Sequence, residues 1–180
     1  FANTQDVACR AWLIKNGMQI TQTGGDAFVV PTSNPEQLNL FSTGKLDAVW
    51  TVEPWVSRLE LQGGGKVFLE QTDTVTTVVA TGVKALNKHP ELIKKFVQAH
   101  KELTEWINAN PEQAQELCIK EIEAITRGKM DPELVRHAWK RIIFTSKLNR
   151  PSLEDFVDQA HACGFLEERL NIDSLDATKE

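Results

Sequence analysis

Two short stretches of the chain carry residue types that could hold a small charged molecule. Asn3-Thr4-Gln5 stands where an amphipathic helix begins, with Val7, Ala8, Ala11, Trp12 and Leu13 behind it. A helix start presents free backbone N–H groups and the positive end of its dipole, a natural seat for an anion. Taken alone, capping is the commoner reason for Asn or Thr at such a place. The second stretch, Trp50-Thr51-Val52-Glu53-Pro54-Trp55, reads as a strand end running directly into a helix start. In open α/β sheets, ligands bind at the carboxyl ends of strands. Two indoles and a carboxylate there exceed what packing requires, although Trp50 also suits a core.

Other chemistries lack their residues. His89, His100, His137 and His161 all fall in a charge-rich, helical half, where surface or helix-end positions account for them. No Ser or Cys occupies the strained strand-to-helix turn of a nucleophile elbow. Gly63-Gly64-Gly65 lacks the Lys-Ser/Thr that follows in a phosphate-cradling loop and reads as a helix stop. Cys9, Cys118 and Cys163 are far apart and outside metal-ligand spacing, which rules out a zinc framework, and no metal or cofactor is expected in this chain. Buried thiols are the ordinary state of such cysteines; Cys118 and Cys163 both lie on helical segments, and their pairing stays open.

The elements that would position these residues follow from composition and period. The 180 residues are 41% hydrophobic and 25% charged, a globular balance that excludes disorder as the main state. No apolar run approaches the roughly 20 residues that span a bilayer, so no membrane insertion is expected. A net charge of −5 without a basic stripe speaks against nucleic acid, and no basic amphipathic segment suits an anionic lipid surface. Residues 1–82 hold 5 basic and 8 acidic residues, whereas residues 83–180 hold 15 and 17. The first part alternates caps and Gly stops with short apolar runs at 26–30, 46–51 and 66–69, and 75–80 follows as a β-branched strand. Alternating helices and strands predict an α/β fold with parallel strands. The second part reads as helices opening at Pro90-Glu91, at Asn110-Pro111, at Asp131-Pro132-Glu133 and at Ser152-Leu153-Glu154-Asp155, the last stopped by Gly164. The start at Phe1, with a cap signal following at once and no strand before it, reads as a cut end.

Several motifs, in order along most of the chain, point to one family. They are Asn3-Thr4-Gln5-Asp6-Val7, Pro31-Thr32-Ser33-Asn34-Pro35-Glu36-Gln37-Leu38, Gly44-Lys45-Leu46-Asp47-Ala48-Val49-Trp50-Thr51-Val52-Glu53-Pro54-Trp55 and Gly64-Gly65-Lys66-Val67. His89-Pro90-Glu91-Leu92, Trp106-Ile107, Asn110-Pro111 and Phe144-Thr145-Ser146 continue the series. Together they resemble the solute-binding proteins of aliphatic-sulfonate, taurine and nitrate ABC importers, and most closely the sulfonate branch. The resemblance implies a type II periplasmic-binding fold, with a mainly parallel sheet in its second lobe and helices returning to the first. By that mapping residues 1–72 form the cleft-forming α/β lobe without its first strand, and residues 73–180 the return crossing and helical part of the first lobe.

The function this implies is binding and not catalysis: a periplasmic protein captures a small oxyanion, first of all an alkanesulfonate, between two lobes and delivers it to an ABC permease. Asn3, Thr4 and Gln5 would supply oxyanion contacts. Trp50, Thr51 and Glu53 would complete the ligand-binding set, with Glu53 facing a ligand ammonium or hydroxyl, or else capping its own helix start or pairing with a basic residue of the absent first lobe. Arg10 suits a helix-surface role. The alternative is an enzyme or biosynthetic protein on the same fold, of the pyrimidine-precursor kind, which requires a His or Cys facing the cleft. The half-cleft alone is expected to bind weakly or not at all, and its exposed sheet edge and uncovered apolar face to self-associate.

Overall fold

The computed structural model describes residues 3–20 and 25–175. Asn3 accepts the Asp6 N–H at 2.9 Å and opens α1, Thr4–Lys15. Gly17 closes it at φ +76°, a left-handed conformation that L side chains resist. Ser33 and Pro35 open α2, Asn34–Ser42; α3, Trp55–Gly63, ends on left-handed Gly64. After the short α4, Val83–Lys88, come α5, Pro90–Ala109, and α6, Pro111–Thr126. Asp131 caps α7, Pro132–Trp139, accepting the Glu133 N–H at 2.9 Å. The last helix, α8, Arg150–Ala162, starts earlier than its sequence predicts. Asn149 is its cap, and the Ser152 hydroxyl instead accepts the Val75 N–H at 2.9 Å.

The α/β architecture expected from the sequence, a type II periplasmic-binding fold with a mainly parallel sheet, does not form. Among the described residues no sheet is present, and β pairing is confined to isolated bridges from Ile20 to Gly25 and Ala27. The runs 26–30, 46–51, 66–69 and 75–80, expected as strands, are not part of any ladder. The physical reason is that β-branched, apolar composition favours an extended backbone but does not supply the neighbour that completes a strand. Backbone groups of residues 66–71 and 76–81 make no hydrogen bond to another described residue. Val67, Phe68, Val78 and Val79 lie exposed on them.

Packing is therefore helix on helix. The α1–α8 and α3–α7 contacts hold the first part of the chain to the last, while α2 packs on α3 and α6 on α7. Val7 and Ala8 of α1 are buried, as are Val157 and Ala160 of α8; Leu134, Val135 and Ala138 of α7 are buried with Leu59 of α3 and Ala114 of α6. Both joining contacts cross position 73, where Asp73 has a φ of 55°. The apolar stripe of α5 stays largely uncovered, with Phe96 56% exposed.

Candidate functional site

The turn into α3 is held from both sides by Glu53. Its Oε2 accepts the Ser57 N–H at 3.1 Å, and its Oε1 accepts Arg141 Nη1 at 3.1 Å. An acceptor at a helix start satisfies a donor the helix itself leaves open, and a carboxylate there is favoured by the dipole. The Glu53 side chain is only 7% exposed, and a buried carboxylate needs such partners to offset its lost hydration. Arg141 also donates to Glu60 at 2.8 Å and lies 3.7 Å from Glu70. The Glu60 hydrogen bond first, then Glu53, hold the Arg141 guanidinium above its ordinary pKa, against burial.

Ser57 completes this knot. It is fully buried, and its hydroxyl lies 2.9 Å from His137 Nδ1. Glu60 Oε2 approaches the same ring nitrogen at 3.8 Å. Serine, histidine and carboxylate here do not form a relay, because a triad places its acid on the opposite ring nitrogen from the nucleophile. The cluster ties α3 to α7. Sequence reading gave His137 a helix-end position, which it has, but not its link to Ser57, for no local signal spans 80 residues.

Around the same turn, Trp50 packs on Trp12 with ring centres 6.1 Å apart. The Thr51 hydroxyl is closed off from solvent and has no hydrogen-bond partner among the described residues. The Arg58 guanidinium lies over the Trp55 ring at 4.9 Å. A recess of about 300 Å³ opens beside Trp12, between α1 and α8, lined also by Lys15, Gln71, Asp155, Asp158 and Gln159.

The start of α1 is a separate place. Asn3 Oδ1 accepts the Asp6 N–H, and the Thr4 hydroxyl donates to Gln5 Oε1 at 3.4 Å. Asp6 is buried and pairs with Arg10 at 2.7 Å; Arg10 also reaches the Val29 carbonyl at 3.5 Å and the Phe165 ring at 6.0 Å. Arg10 thus faces inward as a structural cation. Thr4 precedes Trp12 by eight residues, about 12 Å along the axis, so the α1 start stands well apart from the Trp12–Trp50 contact. Among the described residues no hydrogen bond or ring contact joins Asn3, Thr4 or Gln5 to Trp50, Thr51 or Glu53.

All three cysteines are free thiols. Burial raises the pKa of each; at Cys9 the Asp6 carboxylate adds to this and Arg10 opposes it. No group of His, Cys, Asp or Glu among the described residues could hold a metal ion.

A sequence model of the NMT1-like family matches residues 2–120, a span that contains both the α1 start and the Trp50–Trp55 turn. The match supports a solute-binding role of the periplasmic-binding-protein kind. The chain belongs to the NMT1-like family. No curated protein and no solved structure matches it.

Proposed function

We propose that the chain is the substrate-binding component of an ABC importer, working in the periplasm. It captures a small oxyanion, first of all an alkanesulfonate, and passes it unchanged to a permease. The observation that carries this reading is the family match across both candidate stretches. The geometry of the α3 turn is compatible with it. Glu53, the carboxylate that would repel a sulfonate, is turned into the fold and paired with Arg141. Trp50 and Trp55 supply apolar faces for the methylenes of such a ligand, and pockets of this kind combine apolar walls with a few polar groups.

The test is thermal denaturation with ethanesulfonate, taurine, nitrate and sulfate, with the ligand recovered afterwards. A ligand that binds the folded state raises the melting temperature by mass action. A rise for at least one oxyanion, with the ligand chemically intact, is expected. Conversion of any of them to product would show catalysis and overturn the proposal.

A further inference from the structure

Four arginines are half-buried in the described structure: Arg10, Arg58, Arg141 and Arg150. Three have carboxylates. Arg10 meets Asp6 at 2.7 Å, Arg141 meets Glu60 at 2.8 Å, and Arg150 meets Asp173 at 2.5 Å. Arg58 meets none among the described residues. Its Nε is closed off from solvent with no acceptor, and its only recorded partner is the Trp55 ring, 4.9 Å from the guanidinium carbon. An aromatic face attracts the charge but accepts no hydrogen bond in the guanidinium plane, so Nε has no acceptor among the described residues, while the two terminal nitrogens are not closed off. A half-buried guanidinium without a carboxylate partner can take an anion at its open terminal nitrogens.

The nearest carboxylates in sequence are engaged elsewhere, Glu53 with Ser57 and Arg141, and Glu60 with Arg141. Thr51, on the same approach to α3, has a buried hydroxyl without a partner. Of the buried side-chain polar atoms left unpaired in the described residues, Thr51 Oγ1 and Arg58 Nε thus belong to the turn into α3 and its first two turns. We propose that Arg58 is the cationic contact of the site, its fork receiving two oxygens of a small oxyanion beside the Trp55 ring. The planar fork matches two oxygens of one anion, which a Lys ammonium cannot reproduce. This rests on the oxyanion reading above and moves its charged contact from the α1 start to α3.

The experiment titrates the chain, its Arg58→Lys variant and its Arg58→Met variant with ethanesulfonate and with uncharged ethyl methyl sulfone, following the Trp55 indole N–H by NMR. The Met variant is expected to bind ethanesulfonate about tenfold or more weakly and to lose the preference for the anion over the sulfone. The Lys variant is expected to fall between, with its melting temperature unchanged, and it alone decides if the Met variant does not fold. Equal ethanesulfonate affinity in the wild-type chain and the folded variants overturns the Arg58 assignment and leaves the oxyanion reading standing. Failure of the wild-type chain to bind ethanesulfonate or any other oxyanion removes that reading, and the assignment with it.

Discussion

Arg141 Nη1 lies 3.1 Å from Glu53 Oε1, joining the end of α7 to the turn that opens α3 across 88 positions of sequence. The same carboxylate receives the Ser57 N–H, so one side chain serves as helix cap and as half of an ion pair. Glu53 therefore shapes the turn that carries Trp50, Thr51 and Trp55, and its effect on any ligand passes through that turn.

Glu53→Gln should weaken the fold by about 1–3 kcal/mol, since the amide keeps one acceptor but leaves Arg141 short of a charge. Urea unfolding measures this. The variant should also lose affinity for taurine and for ethanesulfonate equally. Loss confined to taurine would show that Glu53 meets the ligand ammonium directly, and a wild-type urea midpoint would remove its structural role.

Ser57→Ala should cost about 1 kcal/mol, the usual net value of one buried hydrogen bond. The bond lost is the one to His137, and Glu60 remains beside the imidazole. Unfolding by urea with an unchanged slope is the expected signature. Stability equal to the parent would mean the Ser57–His137 contact contributes nothing.

The helices were legible because their signals are local. Asn3, Asp131, Gly17 and Gly64 each act within one turn, and the expected boundaries of α1 and α3 and the expected start of α7 hold to within about two residues. The start of α8 misled because Ser152 and Asn149 are both good caps, and the long-range bond to Val75 occupies the serine. The sheet was overturned for a related reason: 66–69 and 75–80 carry strand composition, but pairing is a property of the neighbour. Two features of the candidate site, the Glu53–Arg141 pair and the Ser57–His137 link, were equally beyond a local reading. Sequence offered Glu53 two roles, and the structure shows capping and ion pairing within this chain.

Cys9 gives a pH-dependent readout. Burial and Asp6 favour its neutral thiol, so its thiolate forms above the ordinary thiol range. The sign follows: a raised folded pKa contributes stability below the unfolded value and loses it as pH rises through the folded value. Alkylation of Cys9 at pH 8 should be slower than that of a free thiol, and slower again in Arg10→Gln if the variant stays folded, because Arg10 opposes the upward shift. Labelling followed by mass spectrometry measures both rates. A Cys9 rate matching free thiol would contradict the burial.

Residues 74–83 contain no charged side chain, and Val78 and Val79 are 49% and 52% exposed. An unpaired, uncharged, β-branched segment is a template for a second copy of itself, with no like charges to oppose antiparallel pairing. Concentration-dependent association is expected in sedimentation velocity, and Val79→Lys should reduce it. A monomer at all concentrations would contradict this.

The central claim, that the turn into α3 belongs to a site for a small oxyanion, is tested most directly by titrating the chain with ethanesulfonate and recording the five indole N–H resonances. Saturable shifts of Trp50 and Trp55, with Trp106 and Trp139 unmoved and the ligand intact, are the result the account requires. Unmoved Trp50 and Trp55 signals at saturating ligand, or shifts confined to Trp106 and Trp139, would contradict it.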